Sequence, residues 1–238
     1  MKENDSYPVR GPGDMGDLVM GCLACDFPDD DAPMWVALEP GTCASCRERI
    51  SAAQRKKAFA GSPPRGVPER QRMARSSELQ DELKGVRSAY LYGDVGVGKS
   101  YQAVAMLKSW WLAKFEAGGV LDYRWWQAAR LAEAMRDSVK LGTSKQLTDD
   151  LIGCEALVID DLGSERITEF AKEQLLIVIG ERYDEKRDMI FTSNLSLGKL
   201  AARLSSEDVD DPTGDRIASR IAESCDIVEM RGLDRRLM

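Results

Sequence analysis

Histidine is absent from this chain of 238 residues, and its absence removes several kinds of chemistry. Catalysis by a serine–histidine pair needs an imidazole as its base, and many zinc sites use the same ring as a ligand. Base chemistry in this protein would therefore depend mainly on carboxylates. A zinc site would have to be built from cysteine, alone or together with carboxylates.

Long apolar runs are also missing from the sequence. No stretch approaches the ~20 apolar residues that cross a bilayer. The first ten residues contain no apolar core of the kind that a secretion signal needs. We therefore expect a cytoplasmic protein that does not enter a membrane.

The composition, 43% hydrophobic and 31% charged, is typical of a folded globular protein. The net charge of −7 is unevenly spread: residues 1–40 carry nine acids and two bases, whereas residues 47–87 carry eleven bases and five acids. A basic segment of this kind can bind nucleic acid or an acidic partner. It is equally typical of a solvated linker, because a charge run alone is not specific.

Four of the six cysteines form two C-x-x-C pairs that are separated by seventeen residues. This spacing is typical of a structural zinc site, in which two tight turns direct four thiolates at one ion. Two disulfides or a redox motif are the alternatives, but an intracellular location disfavours the first and the lack of a surrounding βαβ pattern disfavours the second. We predict a closed Zn²⁺ site, structural or for docking rather than catalytic, formed by Cys22, Cys25, Cys43 and Cys46.

A segment rich in proline and glycine follows the cysteine region and predicts a domain boundary. We divide the chain into a zinc-binding domain at residues 1–60, a linker at 61–69 and a larger domain at 70–238. The remaining cysteines, Cys154 and Cys225, stand beside apolar runs and are predicted to be buried packing residues.

One stretch of the larger domain fits the phosphate-binding pattern G-x-x-x-x-G-K-[ST]. A strand-like run, residues 88–92, precedes it and a helical pattern follows it, as a phosphate site at a helix N-terminus requires. The alternative is a glycine-rich turn with a surface lysine. We predict a P-loop for ATP and Mg²⁺, in which Lys99 reaches the phosphates and Ser100 binds the ion, made of Gly93, Asp94, Val95, Gly96, Val97, Gly98, Lys99 and Ser100.

Five strand-like runs alternate with helical patterns, which predicts an α/β fold with a five-stranded parallel sheet: residues 88–92, 120–126, 156–161, 189–194 and 226–230. The second run contains Trp125 and Trp126, which could stack on bases but are more typical of a core. A later helical segment, residues 215–223, carries Arg216 and Arg220 one turn apart on one face.

Polar residues end two of the apolar runs. Ligands of α/β folds bind at the carboxyl ends of parallel strands, so the acids that end the third run are expected beside the P-loop. There Asp160 would hold Mg²⁺, and Asp161 would orient or deprotonate an attacking water. Asn194 ends the fourth run and would reach the γ-phosphate or the water, although a plain strand-to-loop transition is the alternative.

These motifs resemble the AAA+ ATPases, in particular the bacterial and phage helicase loaders of the DnaC/DnaI type and the related IstB transposition helpers. The resemblance covers about residues 70–238 and rests on the P-loop and on residues 159–165, 182–183, 192–194 and 215–221. The four N-terminal cysteines resemble the zinc-binding, helicase-docking domain of DnaI-type loaders. Proteins of the IstB type are not expected to have such a domain.

The resemblance implies a mechanism and a role for each motif. ATP would be hydrolysed at the subunit interface of a homo-oligomeric ring or spiral that holds single-stranded DNA. Asn194 would be the sensor-1 residue, and Arg220 the arginine finger with Arg216 as its companion. Asp161 stands where many of these ATPases have glutamate. The chain ends soon after its last strand, so we expect no C-terminal helical lid, and Arg235 or Arg236 would serve as sensor 2.

The leading hypothesis is an ATP-dependent loader of a replicative helicase, encoded by a bacterium or its phage. An IstB-like transposase helper that binds duplex DNA is the alternative, and the four cysteines favour the loader. A zinc-containing nucleoside kinase would carry its zinc after the P-loop rather than before it. A module that binds nucleotide without hydrolysing it is the remaining hypothesis.

Overall fold

The computed structural model describes residues 67–68, 71, 74–164, 168–205, 211–232 and 234. They belong to one compact unit, Pro63–Met238. The zinc-binding prediction for Cys22, Cys25, Cys43 and Cys46, most of the linker, and both Arg235 and Arg236 lie outside the described residues. The division into domains therefore stays a prediction.

The described chain alternates strands and helices. The strands are β1 (Ala89–Tyr92), β2 (Tyr123–Gln127), β3 (Ala156–Asp160), β4 (Asp188–Ser193) and β5 (Asp226–Glu229). The α-helices are α1 (Lys99–Glu116), α2 (Ala128–Leu141), α3 (Ser144–Gly153), α4 (Glu169–Asp184), α5 (Leu197–Leu204) and α6 (Thr213–Ser224). Two short 3-10 helices, Ser76–Glu78 and Asp81–Leu83, precede β1.

The five strands form one parallel sheet in the order β2-β3-β4-β1-β5, which confirms the predicted fold class. Alternate side chains of β3 enter two separate cores: Leu157 and Ile159 pack with helices α2 to α6, whereas Ala156 and Val158 pack with α1. Because both faces of the sheet are covered, its central strands are apolar throughout. This arrangement leaves the carboxyl ends of the strands as the edge where polar side chains collect.

The observed elements differ from the predicted ones mainly at their starts. Strand β2 was predicted from Val120, but pairing with β3 begins only where the Ala156 N–H donates to the Asp122 carbonyl. Val120 is 78% exposed, so its β-branched side chain was a misleading signal. Helix α6 begins at Thr213 instead of Asp215, since Pro212 is compatible with a helix N-terminus.

Two further features of the described residues concern the interior and the membrane. Cys154 and Cys225 are buried and unpaired, as predicted. None of the helices in the described part of the chain combines the length and the apolar character that a membrane crossing requires.

Candidate functional site

The P-loop connects β1 to α1 and turns at glycines that no other residue could easily replace. Gly93 has φ +149°, and a Cβ there would lie 2.2 Å from the Met230 carbonyl oxygen. Gly96 has φ +84°, and a Cβ there would lie 1.8 Å from an Asp234 carboxylate oxygen. Gly98, with φ 98°, is the N-cap of α1. The loop therefore presents its backbone at the N-terminus of an 18-residue helix, which is the location that favours a bound phosphate.

Lys99 lies in the floor of this loop and is 7% exposed. Its ammonium group donates hydrogen bonds to the carbonyl oxygens of Gly93 (2.8 Å) and Asp94 (2.7 Å) and to the Asn194 side-chain oxygen (2.7 Å). All three acceptors are neutral. A phosphate oxygen would offer the same ammonium group a stronger, charge-assisted partner.

Asp160 ends β3 and is 3% exposed. Its Oδ1 accepts a hydrogen bond from the Thr192 hydroxyl (2.7 Å), and the Ser100 hydroxyl also donates to this carboxyl group. Burial raises the pKa of Asp160, while the two hydroxyl groups and the positive charge of Lys99 oppose that rise. The carboxyl group is therefore placed where a cation would relieve the cost of ionising it.

Asp161 follows the strand in a left-handed conformation, with φ 62°, which is uncommon for a residue other than glycine. Its N–H donates to the Thr192 hydroxyl oxygen (2.8 Å), and its Oδ1 accepts a hydrogen bond from the Asn194 side-chain amide (3.2 Å). Asn194 thus links Asp161 to Lys99 through the two ends of one amide group. Asp161 is exposed and faces the same cavity as the P-loop residues.

A cavity of about 690 Å³ joins these groups. It brings together most of the predicted loop with Asp160, Asp161 and Asn194, and their individual roles stay predictions. The cavity is also lined by four residues that the sequence analysis did not assign to the site: Gln71, Tyr101, Gln127 and Thr192. Gln127 could have been found, because it directly follows the predicted strand at residues 120–126; in the structure it ends β2 opposite Asp160.

The donor set of this cavity fits ATP with Mg²⁺. The hydroxyl group of Ser100 and the carboxyl group of Asp160 are adjacent and would be the oxygen ligands, because Mg²⁺ is usually held by one or two such groups together with phosphate oxygens and waters. In the ranges that the structure describes, no cluster of three or more acidic or cysteine side chains could hold a metal by itself.

Arg216 and Arg220 lie elsewhere on this chain. Both line a groove of about 610 Å³ between α4 and α6, and neither lines the cavity at the P-loop. The Arg220 guanidinium is 5.4 Å from the centre of the Tyr183 ring and 3.7 Å from the Asp184 carboxylate. Within one chain the structure therefore does not bring these arginines to the P-loop.

Comparison with known proteins shows several similarities. A family profile described as "IstB-like ATP binding protein" matches residues 80–238. The replicative helicase loader DnaI of Bacillus subtilis is 24% identical over 136 residues, which are 54% of this chain and 42% of that protein. The matched part is thus less than half of the relative's length.

Two solved structures share the fold. A crystal structure of DnaI superposes with a TM-score of 0.52 and 23% identity, covering 77% of this chain and 85% of that one. Domain III of the replication initiation protein DnaA from Thermotoga maritima has a TM-score of 0.50 and 17% identity, covering 68% and 61%. At these identities the similarity shows the fold alone.

Proposed function

The chain belongs to the family of IstB-like ATP-binding proteins, and from this premise we propose that it is an ATP-dependent loader of a replicative DNA helicase. The observation that carries the proposal is the cavity in which Lys99, Asp160, Asp161 and Asn194 converge on the P-loop. The named relative that supports the loader is the helicase loader DnaI. We propose that this protein works in the cytoplasm of a bacterium.

The proposed reaction is hydrolysis of ATP. The Lys99 ammonium leaves its three neutral acceptors and binds the phosphates, and Asn194, freed from Lys99, contacts the γ-phosphate. Asp161 orients the attacking water. Ser100 and Asp160 would hold Mg²⁺, which when bound would supply positive charge beside the phosphates.

Arg220 would complete the site from a neighbouring subunit. In this chain it lies in a different cavity from the P-loop, which supports a role at another subunit's nucleotide rather than at its own. An arginine supplied in this way is worth about 10³–10⁵ in rate in other NTPases. ATP binding would therefore be coupled to assembly of a ring or spiral along single-stranded DNA. The zinc-binding domain at residues 1–60 would dock on the helicase.

A transposase helper that binds duplex DNA is the second candidate, and the observation that favours it is the family profile itself. The two candidates differ in partner and in DNA. We expect the full-length protein to retain a replicative helicase in a pull-down, and its Cys43→Ser variant to lose that binding. Retention of a transposase instead, together with a preference for duplex DNA, would contradict the loader.

ATP hydrolysis is tested with Lys99→Ala. Removing a charge-assisted hydrogen bond to phosphate should weaken ATP binding by about tenfold or more and abolish hydrolysis stimulated by single-stranded DNA. Binding is measured by titration with a fluorescent ATP analogue, and hydrolysis by phosphate release. Lys114→Ala is the matched control, because Lys114 lies on the same helix but pairs with Glu155 at the surface. A wild-type protein that binds ATP without measurable hydrolysis, with DNA and helicase present, would instead support a non-hydrolysing module.

A further inference from the structure

The groove between α4 and α6 contains an arrangement around Arg220 that the proposed function does not use. The guanidinium of Arg220 lies near the Tyr183 ring, 5.4 Å from its centre. It also lies against Gly180, where a Cβ would be 3.6 Å from the guanidinium carbon. The arginine side chain is 37% exposed, so it is partly covered by its own subunit and partly open to another.

The Tyr183 ring is itself held in place. Its hydroxyl donates to Glu223 Oε2 at 2.6 Å, and the Ser219 hydroxyl donates to the other oxygen of the same carboxylate at 3.1 Å. Tyr183 belongs to α4, while Ser219 and Glu223 belong to α6. The ring is therefore fixed by a hydrogen bond between the helix that carries it and the helix that carries Arg220.

The hydrogen bond from Tyr183 to Glu223, the anchor of the ring, keeps the same protonation state around neutral pH. The hydrogen bond from Tyr183 lowers the pKa of Glu223, and the bond from Ser219 lowers it further. The same carboxylate raises the pKa of Tyr183. At neutral pH the pair is therefore a neutral phenol donating to a carboxylate, which is a charge-assisted hydrogen bond.

The Tyr183 ring and the Asp184 carboxylate contact the Arg220 guanidinium in different ways. Asp184 is 3.7 Å away with its side chain 63% exposed, and exposed ion pairs of this kind contribute little. A carboxylate would also compete with phosphate for the N–H donors of the arginine. An aromatic face attracts the cation through its quadrupole without taking up an N–H donor.

We propose that Tyr183 is the positioning residue for Arg220: its ring holds the guanidinium at the surface with its N–H groups available to the nucleotide of a second copy of this chain. This inference rests on the proposed function, because it needs Arg220 to act on a neighbouring subunit.

The experiment begins with two inactive proteins. Lys99→Ala can donate Arg220 but not hydrolyse ATP, and Arg220→Ala can bind ATP but not donate the arginine. Mixing them with ATP and single-stranded DNA should restore hydrolysis in the Arg220→Ala subunits. No restoration would contradict the proposed function itself, and so would be distinguished from a failure at Tyr183.

Tyr183→Leu is then added to one member of the mixture at a time. In the donating protein, Lys99→Ala, it should lower the kcat of the mixture by about two- to fivefold, the range expected for a partly exposed cation–π contact, with the KM for ATP unchanged. In the accepting protein, Arg220→Ala, it should change kcat by less than about twofold. An equal loss from both sides would show a merely structural role and overturn the proposal, as would no loss from either.

Two further variants of the donating protein complete the test. Tyr183→Phe keeps the ring and loses the anchor, so it should retain most of the kcat that Tyr183→Leu loses. Asp184→Asn removes only the exposed ion pair and should have a smaller effect than Tyr183→Leu. If Tyr183→Phe lowers the kcat of the mixture as much as Tyr183→Leu does, or if Asp184→Asn lowers it more than either, the aromatic ring does not position Arg220.

Discussion

Asp160 carries a carboxyl group that burial makes costly to ionise. This cost should appear as a pH dependence of the free energy of unfolding. Its pKa in the folded protein is raised above the ordinary value of 3.8, so the folded state binds the proton more tightly than the unfolded chain. As the pH rises above 3.8, the free energy of unfolding falls until the folded carboxyl group is also ionised. The nucleotide-free protein is therefore less stable at neutral pH than an uncharged isostere would make it.

We predict that Asp160→Asn stabilises the nucleotide-free protein while weakening Mg²⁺-dependent ATP binding. At pH 8 its free energy of unfolding should exceed that of the parent protein, and the difference should shrink towards pH 4. Urea unfolding at several pH values measures it. Asp149→Asn, at an exposed position of α3, is the control. An Asp160→Asn protein that is no more stable than the parent at pH 8 would contradict the prediction.

The positions of Asp161 and Asn194 could be predicted from the sequence, but the hydrogen bonds that connect them could not. Both were predicted beside the P-loop from the carboxyl ends of their strands, and the structure brings both there. The left-handed turn at Asp161 and the amide of Asn194 that joins Lys99 to Asp161 depend on local backbone geometry. An aspartate and an asparagine after apolar runs do not reveal such a connection.

Helix α4 is attached to α3 by an arginine rather than by apolar packing alone. Arg182 is fully buried, and its terminal nitrogens donate to the carbonyl oxygens of Leu151 (2.9 Å), Ile152 (3.0 Å) and Cys154 (2.8 Å) around the end of α3. They also bond to the Asp188 carbonyl (2.6 Å) at the start of β4. Helix C-termini leave carbonyl groups without intrahelical partners, and this guanidinium satisfies several at once.

We predict that Arg182→Ala lowers the free energy of unfolding by about 3 kcal/mol, because several buried carbonyl groups would lose their donor. Arg182→Lys should recover only a small part of the lost free energy of unfolding, since a single ammonium group cannot reproduce the planar set of N–H donors of the guanidinium. Urea denaturation measures both, and Arg203→Ala on the exposed face of α5 is the control. A loss below about 1 kcal/mol for Arg182→Ala would contradict this role, since a single net hydrogen bond is already worth about that much.

Strands that consist of apolar runs could be predicted from the sequence, whereas contacts made by buried or partly buried polar side chains could not. The central strands β1, β3 and β4 were predictable because buried strands of a parallel sheet are continuously apolar, and their alternation with helical patterns predicted the parallel arrangement. The predicted start of β2 was wrong, because Val120 favours a β-strand as strongly as the residues from Tyr123 onwards that pair with β3. The burial of Arg182 and the contact between Tyr183 and Arg220 were not predicted, because backbone carbonyls and helix packing have no signature in the side-chain pattern.

At the scale of the whole molecule, we predict that the four N-terminal cysteines bind one zinc ion. We expect one Zn²⁺ per chain by elemental analysis and a loss of that metal in Cys43→Ser. Because so short a segment cannot bury a sufficient core, chelation should unfold it and leave the ATP-dependent stabilisation of the larger domain intact. Cys225→Ala is the control, since Cys225 is buried in the larger domain. A metal-free protein with disulfides among the four cysteines would contradict the prediction.

The pairing of β1 has a consequence for how the protein is made. β1 lies between β4 and β5, and Ala89 is opposite Ile190, about 100 residues later in the chain. During synthesis at about 5–20 residues per second, the P-loop strand would leave the ribosome several seconds before its first partner. Until then its backbone N–H and C=O groups have no strand partner and can pair with the wrong chain. A nascent chain halted before β4 would therefore carry the complete P-loop sequence without the sheet needed to form the site.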